Sequence, residues 1–139
     1  MDLERAGPYL AGTHKGALIT LHADGRPQVS NISYHYARGV IRISVTAGRQ
    51  KSRNLARDSR AAVHVSDGNW GQWVVAEGSA ELSPVSTEAG DAVGRELLEL
   101  YESITGSIHP DRADFLAAMV KDRRLLIRLP VARVYGQLP

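Results

Sequence analysis

The chain has 139 residues, of which 43% are apolar and 23% are charged, and it contains no cysteine. This length and composition predict one folded domain that spans residues 1–139. The lack of cysteine excludes disulfides, zinc–thiolate sites and thiol nucleophiles, and no apolar run approaches the roughly 20 residues that span a bilayer. We therefore expect no membrane partner. Because the segment after Met1 has no apolar signal core, we expect a cytoplasmic protein.

The positive charge is concentrated in two segments. The net charge is only +2, yet five basic residues lie between positions 49 and 60 beside a single acid, Asp58. A second basic group lies near the C-terminus and consists of Lys121, Arg123, Arg124 and Arg128. Because the total excess is small and the first segment has no interleaved aromatic residues, we expect no nucleic-acid partner.

The first half of the chain predicts a short helix followed by an antiparallel meander. The helix is expected within residues 2–12. Alternating apolar and polar residues predict three strands, over 17–22, 29–36 and 40–46. Glycine-containing turns join these strands, which favours antiparallel pairing.

The second half mixes helices with strands. The predicted elements are a helix over 50–58, strands over 61–66 and 72–82, a helix capped by Ser86 or Thr87 and ended by Gly106, a helix after Pro110, and a strand over 124–134. Gly78 is expected at a bulge or bend, and Pro130 interrupts the last strand. The total is six strands. We predict a mainly β, α+β fold whose antiparallel sheet closes into a small barrel with short peripheral helices.

The start of the helix over 50–58 carries a concentrated positive charge. Arg49, Arg53 and Arg57 would share one helix face, where like charges repel one another. Arg49 and Lys51 also lie where free backbone N–H groups favour an anion. A phosphate bound at this point explains the pattern, and an ordinary solvated basic face explains it equally well.

Polar side chains precede this helix. Ser44 and Thr46 run toward its start, and Ser30 and Asn31 are expected on the neighbouring strand. A planar heteroaromatic ring laid along these strands would bring a phosphate tail to Arg49. The alternative is that these are ordinary polar residues of an exposed strand face.

Signatures of several other enzyme classes are missing from the chain. It has no HExxH, P-loop, GxSxG or Rossmann glycine pattern. Its five histidines are scattered, so we expect no metal site.

Five sequence motifs occur in an order that resembles a known family. They are DGRPQVSNI, GRQKSRNL, RAAV, VVAEGSAEL and RLLIRLPVARVYG. Together they resemble the flavin and deazaflavin oxidoreductases of the pyridoxamine 5'-phosphate oxidase-like split-barrel superfamily. The GRQKSRNL segment is most similar to the branch that uses the deazaflavin coenzyme F420.

This resemblance implies a six-stranded split β-barrel that forms a homodimer with two cofactor sites at the subunit interface. The implied cofactor is F420, with FMN as the alternative. Arg49 and Lys51 would bind the cofactor phosphate with help from Ser52 and Asn54. The implied ring-lining residues are Ser30, Asn31, Ile32, Ser44, Val45 and Thr46. A tryptophan of the partner chain, Trp73 or else Trp70, would pack near the site.

The implied activity is hydride transfer between F420 and an unsaturated small-molecule acceptor, with no obligatory protein acid or base. Two alternatives stay open, an FMN-binding flavoprotein and a non-catalytic protein that binds or sequesters the cofactor. Pyridoxamine-phosphate oxidases grip their substrate with a C-terminal segment that carries Arg and Trp. Because no tryptophan follows Trp73 here, we do not expect that oxidation.

Overall fold

The computed structural model describes residues 1–139 and contains four helices and nine strands. The helices are α1 (Leu3–Ala11), α2 (Gln50–Arg57), α3 (Ala92–Thr105) and α4 (Arg112–Lys121). The strands are β1 (Lys15–Leu21), β2 (Pro27–Ser33), β3 (His35–Ala37), β4 (Val40–Thr46), β5 (Arg60–Ser66), β6 (Trp73–Ser79), β7 (Glu81–Leu82), β8 (Arg124–Pro130) and β9 (Arg133–Gln137). None of the four helices combines the length and the apolar character that crossing a membrane requires.

The strands form two antiparallel sheets. One has five strands in the order β2-β1-β5-β6-β9, and the other has four in the order β3-β4-β8-β7. The prediction of a mainly antiparallel α+β fold is therefore confirmed. The count of six strands is wrong, because three long predicted strands bend and each contributes one segment to each sheet. The hydrogen bonds between strands form two separate sheets and do not close them into one continuous barrel.

Each bend has a structural cause. At the first, Tyr34 is fully buried between β2 and β3, where its hydroxyl donates to the Leu10 carbonyl at 2.7 Å. At the second, a Cβ on Gly78 would lie 2.3 Å from the Pro130 carbonyl oxygen, so only glycine allows the two backbones to approach this closely. The third bend follows Pro130, which has no N–H to continue the ladder.

The main core lies between the two sheets. Strand β4 shows why, because Ile41, Ile43 and Val45 are almost fully buried while Arg42 and Ser44 point to the outer face. Helices α3 and α4 pack on that outer face. A second, smaller core of Leu97, Leu100, Met119 and Leu126 joins them to β8. One face of the four-stranded sheet is therefore only partly covered, which leaves room for a groove.

Helix α3 begins later than the sequence predicts. Its cap is Asp91, whose Oδ1 accepts from the Gly94 N–H at 2.8 Å, so the predicted cap at Ser86 or Thr87 is wrong. Ser86 instead donates its hydroxyl to Asp91 at 2.9 Å. The predicted end is confirmed, because Gly106 has φ of 73° in the left-handed region.

Candidate functional site

A groove of about 630 Å³ runs along the outer face of β4. Three sides enclose it. They are the end of β2, the start of α2, and one side of α3. The groove therefore collects residues from distant parts of the chain at one edge of the four-stranded sheet.

The floor of the groove contains most of the predicted ring-lining residues. They are Asn31, Ile32, Ser44, Val45 and Thr46, together with Ser33 and Ile43. The expectation that β2 and β4 are neighbouring strands is wrong, because they belong to different sheets. They meet across the gap between the sheets. Ser30 does not line the groove, and its buried hydroxyl has no hydrogen-bond partner.

Three cations surround one end of the groove. Arg49 and Lys51 come from the start of α2, and Arg124 comes from the start of β8. None of the three forms an ion pair with a carboxylate within the chain. Burial lowers the pKa of Lys51, and the charges of Arg49 and Arg124 lower it further. This end is strongly electropositive and is suited to an anion.

Arg124 is the cation of this end that sequence reasoning missed, and the residues of α3 described below were missed as well. Register pairs it with Thr46 across β4 and β8, which places it beside the helix start. Its Nη1 lies 3.5 Å from the Ser44 hydroxyl, and its buried Nε has no partner. A buried donor without a partner is uncommon and fits a bound acceptor. The signal in the sequence is a basic residue at the start of the last strand. The sequence alone does not show that this strand pairs with β4.

The start of α2 has no cap from its own side chains. Arg49 is the N-cap residue and makes no side-chain capping bond, and no acid lies in the first turn. The first backbone N–H groups of a helix lack intrahelical partners. They add to the positive potential of the cationic end.

Ser52 and Asn54 face the interior and not the groove. The Ser52 hydroxyl donates to the Thr46 carbonyl at 3.3 Å, and the fully buried Asn54 donates to the Thr20 hydroxyl at 3.0 Å. These bonds fasten α2 to β4 and β1. Both residues therefore hold the helix that presents Arg49 and Lys51.

Arg53 and Arg57 lie outside the groove. Arg53 donates to the Gly48 carbonyl and, at 2.6 Å, to the Gln50 side chain. Arg57 donates to the Leu21 carbonyl and to the Asn54 side chain. Both guanidinium groups donate their hydrogen bonds to neutral acceptors of the same chain, so the cationic end does not depend on them.

Helix α3 supplies the remaining wall through Leu97, Leu100, Tyr101, Ile104 and Thr105. Ion pairs on the adjacent helix face fasten it to the sheet. Arg42 of β4 pairs with Glu99 and lies 3.5 Å from Glu96. Glu96 also accepts from Arg128 of β8 at 2.6 Å.

Neither tryptophan lines the groove of its own chain. Trp73 stacks on His64 with ring centroids 5.9 Å apart and meets Tyr135 edge-on at 6.0 Å. Trp70 is 85% exposed and lines a separate shallow pocket. That pocket shares Asn31, Ile32 and Ser33 with the groove, so the two cavities adjoin.

Comparison with known proteins agrees with this architecture. The family model described as pyridoxamine 5'-phosphate oxidase matches residues 6–137, which is nearly the whole chain. The chain belongs to the pyridoxamine 5'-phosphate oxidase family.

No cluster of three or more His, Asp or Glu side chains that could hold a metal ion accompanies the groove or lies elsewhere in the chain.

Solved structures with a similar fold include proteins with different names. A conserved hypothetical protein from Mycobacterium tuberculosis is 25% identical, with a TM-score of 0.77 over 100% of this chain and 89% of that one. An F420 reductase is 25% identical, with a TM-score of 0.69 over 93% and 95% of the two chains. An FAD-binding protein from Mesorhizobium loti is 20% identical, with a TM-score of 0.68 over 98% and 92%. This last likeness concerns the fold alone.

Proposed function

We propose that the protein is an oxidoreductase that holds the deazaflavin F420 in the groove and transfers a hydride between this cofactor and an unsaturated small molecule. The cationic end carries the proposal. Three positive side chains that share no carboxylate repel one another, and a phosphate placed among them turns that repulsion into attraction. The uncapped start of α2 favours the same anion.

The chemistry of the groove residues fits the two parts of such a cofactor. Arg49, Lys51 and Arg124 would hold the phosphate. The Ser44–Thr46 and Asn31–Ile32 segments would line the ring with backbone, hydroxyl and amide groups. The bound cofactor supplies the hydride chemistry, and these residues bind and orient it. Ser52 and Asn54 would act indirectly, by holding α2.

Two points favour F420 over FMN. The GRQKSRNL segment is most similar to the F420-dependent branch, and the matched F420 reductase is 25% identical over nearly its whole length. FMN is the alternative cofactor.

We also propose that two copies pair through the outer face of the five-stranded sheet. Val29 and Tyr135 on this face are 60% and 46% exposed, and Trp70 beside it is 85% exposed. Val29 and Tyr135 lie on the two edge strands of the sheet, β2 and β9, so exposed apolar side chains occur at both edges of this face, which favours a protein contact there. Because the pocket below Trp70 adjoins the groove, a second copy docked here would add a wall to the cofactor site.

Cofactor titration tests the proposal. The purified protein is mixed separately with F420 and FMN, dialysed, and examined by absorbance. We expect F420 to be retained and reduced F420 to be oxidised when an unsaturated acceptor is added. Retention of FMN alone would reverse the order of the two cofactors. Retention of F420 without turnover across a panel of quinones and enones would support the sequestering alternative.

A further inference from the structure

The groove has two chemically different sides. Its floor and cationic end are polar, whereas α3 contributes only Leu97, Leu100, Tyr101, Ile104 and Thr105. Leu97 and Leu100 are each 1% exposed, because they pack in the second core. The Thr105 hydroxyl donates to the Tyr101 carbonyl oxygen at 3.0 Å. Tyr101 and the half-buried Ile104 therefore supply the apolar part of the open surface on this side, beside the exposed Thr105, and no charge faces the groove from α3.

The Tyr101 ring is held by other aromatic rings. Its centroid lies 5.3 Å from those of both His109 and Phe115, and these two lie 5.4 Å from each other. Tyr101 nevertheless remains 40% exposed. An aromatic ring that is fixed on one side and open on the other is a preformed stacking surface.

Charged contacts hold α3 at its distance from the floor. Glu96 and Glu99, on the helix face beside the apolar one, pair with Arg42 and Arg128 of the sheet. The Arg42 side chain is only 16% exposed, so this contact is partly shielded from water. The apolar side is therefore built on a fixed helix and not on a mobile loop.

We propose that the α3 side of the groove binds the electron acceptor, and that Tyr101 and Ile104 select an uncharged, conjugated ring compound. This inference rests on the proposed function, since the cofactor phosphate is assigned to the opposite, cationic end. An anionic acceptor would be drawn to Arg49, Lys51 and Arg124 and would compete with that phosphate. A neutral ring gains apolar contact with Ile104 and stacking on Tyr101.

The test reaction compares two naphthoquinones that differ in charge, menadione and its sulfonate. Each quinone takes a hydride from reduced F420 and one proton from water to become the hydroquinone. Reduced F420 becomes oxidised F420 by losing that hydride and releasing one proton to water. We expect kcat/KM for menadione to exceed that for the sulfonate by at least about tenfold. Tyr101→Ser and Ile104→Ser should each lower kcat/KM for menadione by roughly tenfold, the scale of losing apolar contact in a pocket.

Matched measurements separate this inference from the proposed function. Tyr101→Phe keeps the ring and should lower kcat/KM for menadione less than Tyr101→Ser does, and F420 affinity should be unchanged in all three variants. Menadione binding to the cofactor-free protein, measured by ligand-observed NMR, should weaken in Tyr101→Ser and Ile104→Ser and persist in Tyr101→Phe. If F420 does not bind at all, the proposed function fails, and this NMR comparison still decides the role of α3.

Two results would overturn the inference. One is equal menadione binding and turnover in wild type, Tyr101→Ser and Ile104→Ser. The other is a preference for the sulfonate over menadione. Circular dichroism checks that each variant is folded. If Ile104→Ser is unfolded, Ile104→Thr replaces it.

Discussion

At the scale of single residues, the site depends on three cations held together without an acid. Arg49, Lys51 and Arg124 have no carboxylate partner, although the chain contains 15 acidic residues and uses several in ion pairs elsewhere. Burial and the two neighbouring charges lower the pKa of Lys51. The protein without an anion therefore retains unfavourable repulsion that a bound phosphate would relieve.

Removing two of these cations should weaken cofactor binding. In Arg49→Ala/Lys51→Ala we expect F420 affinity to fall by a few kcal/mol, because each charge-assisted hydrogen bond contributes roughly 1.5–3 kcal/mol. Fluorescence titration measures the change. Arg53→Ala is the matched control, since it removes one charge from the same helix outside the groove. Unchanged affinity in the double variant would place the phosphate elsewhere.

Removing Lys51 alone should stabilise the cofactor-free protein, although it weakens cofactor binding. A lysine whose folded-state pKa is lowered costs stability below that pKa, and the cost vanishes as pH rises toward its ordinary 10.5. Lys51→Met should therefore raise the free energy of unfolding of the cofactor-free protein at neutral pH by up to roughly 0.5 kcal/mol, the size of a surface like-charge contact. Urea unfolding measures it. A loss of stability would argue that Lys51 is an ordinary structural cation.

Only part of this cationic end was predictable from the sequence. Arg49 and Lys51 are close in sequence, and the helix that carries them follows from local pattern. Arg124 joins them only because β8 pairs with β4, a contact between segments that local patterns do not specify. Ser52 and Asn54 share the helix with Lys51 but face inward, because they bond to strands whose positions were not known.

At the scale of elements, α3 determines the shape of the groove. Its first turn is held by Asp91, whose carboxylate accepts from the backbone N–H groups of Gly94, Thr87 and Glu88. These bonds lower the pKa of Asp91 from its ordinary 3.8 to about 2. The stabilisation is fully present above the ordinary pKa and is lost as pH falls through the lowered one.

Stability of the α3 cap should therefore depend on pH. Asp91→Ala should be less stable than the wild type at neutral pH, because the backbone N–H groups lose their acceptor. The difference should shrink as pH falls from about 4 toward about 2, where Asp91 becomes protonated. Thermal unfolding followed across this range measures both proteins. A difference that does not change with pH would mean that the charge of Asp91 is irrelevant to the cap.

The predicted strands illustrate what local patterns can and cannot reveal. Strand β4 matches the predicted 40–46 because its strict alternation places one face in the core. The other long strands read as continuous, since a bend between two sheets changes the partners of a strand and not its composition. The bends at Tyr34 and Gly78 follow from contacts with Leu10 and Pro130, which are distant in sequence.

At the scale of the whole molecule, the outer face of the five-stranded sheet is the proposed contact between two copies. A double variant, Val29→Glu/Tyr135→Glu, places charge on two exposed apolar positions of this face. We expect the wild type to sediment at twice its 15.1 kDa chain mass and the variant to sediment as a single chain with weaker F420 binding.

A matched control separates this contact from a general effect of added charge. Ile108→Glu changes a 73% exposed apolar residue between α3 and α4, away from the five-stranded sheet, and should leave the dimer intact. A wild type that sediments as a single chain would contradict the proposed pairing. Cofactor binding by such a single chain would place the whole site within one copy.

The groove as a cofactor site is tested most directly by a crystal structure of the protein with F420. We expect the cofactor phosphate to contact Arg49, Lys51 and Arg124, with Arg124 Nε donating to a phosphate oxygen or to a water bound there. The ring should lie along Ser44–Thr46, opposite Tyr101 of α3. A phosphate bound away from these three cations, or a ring outside the groove, would contradict the proposed function.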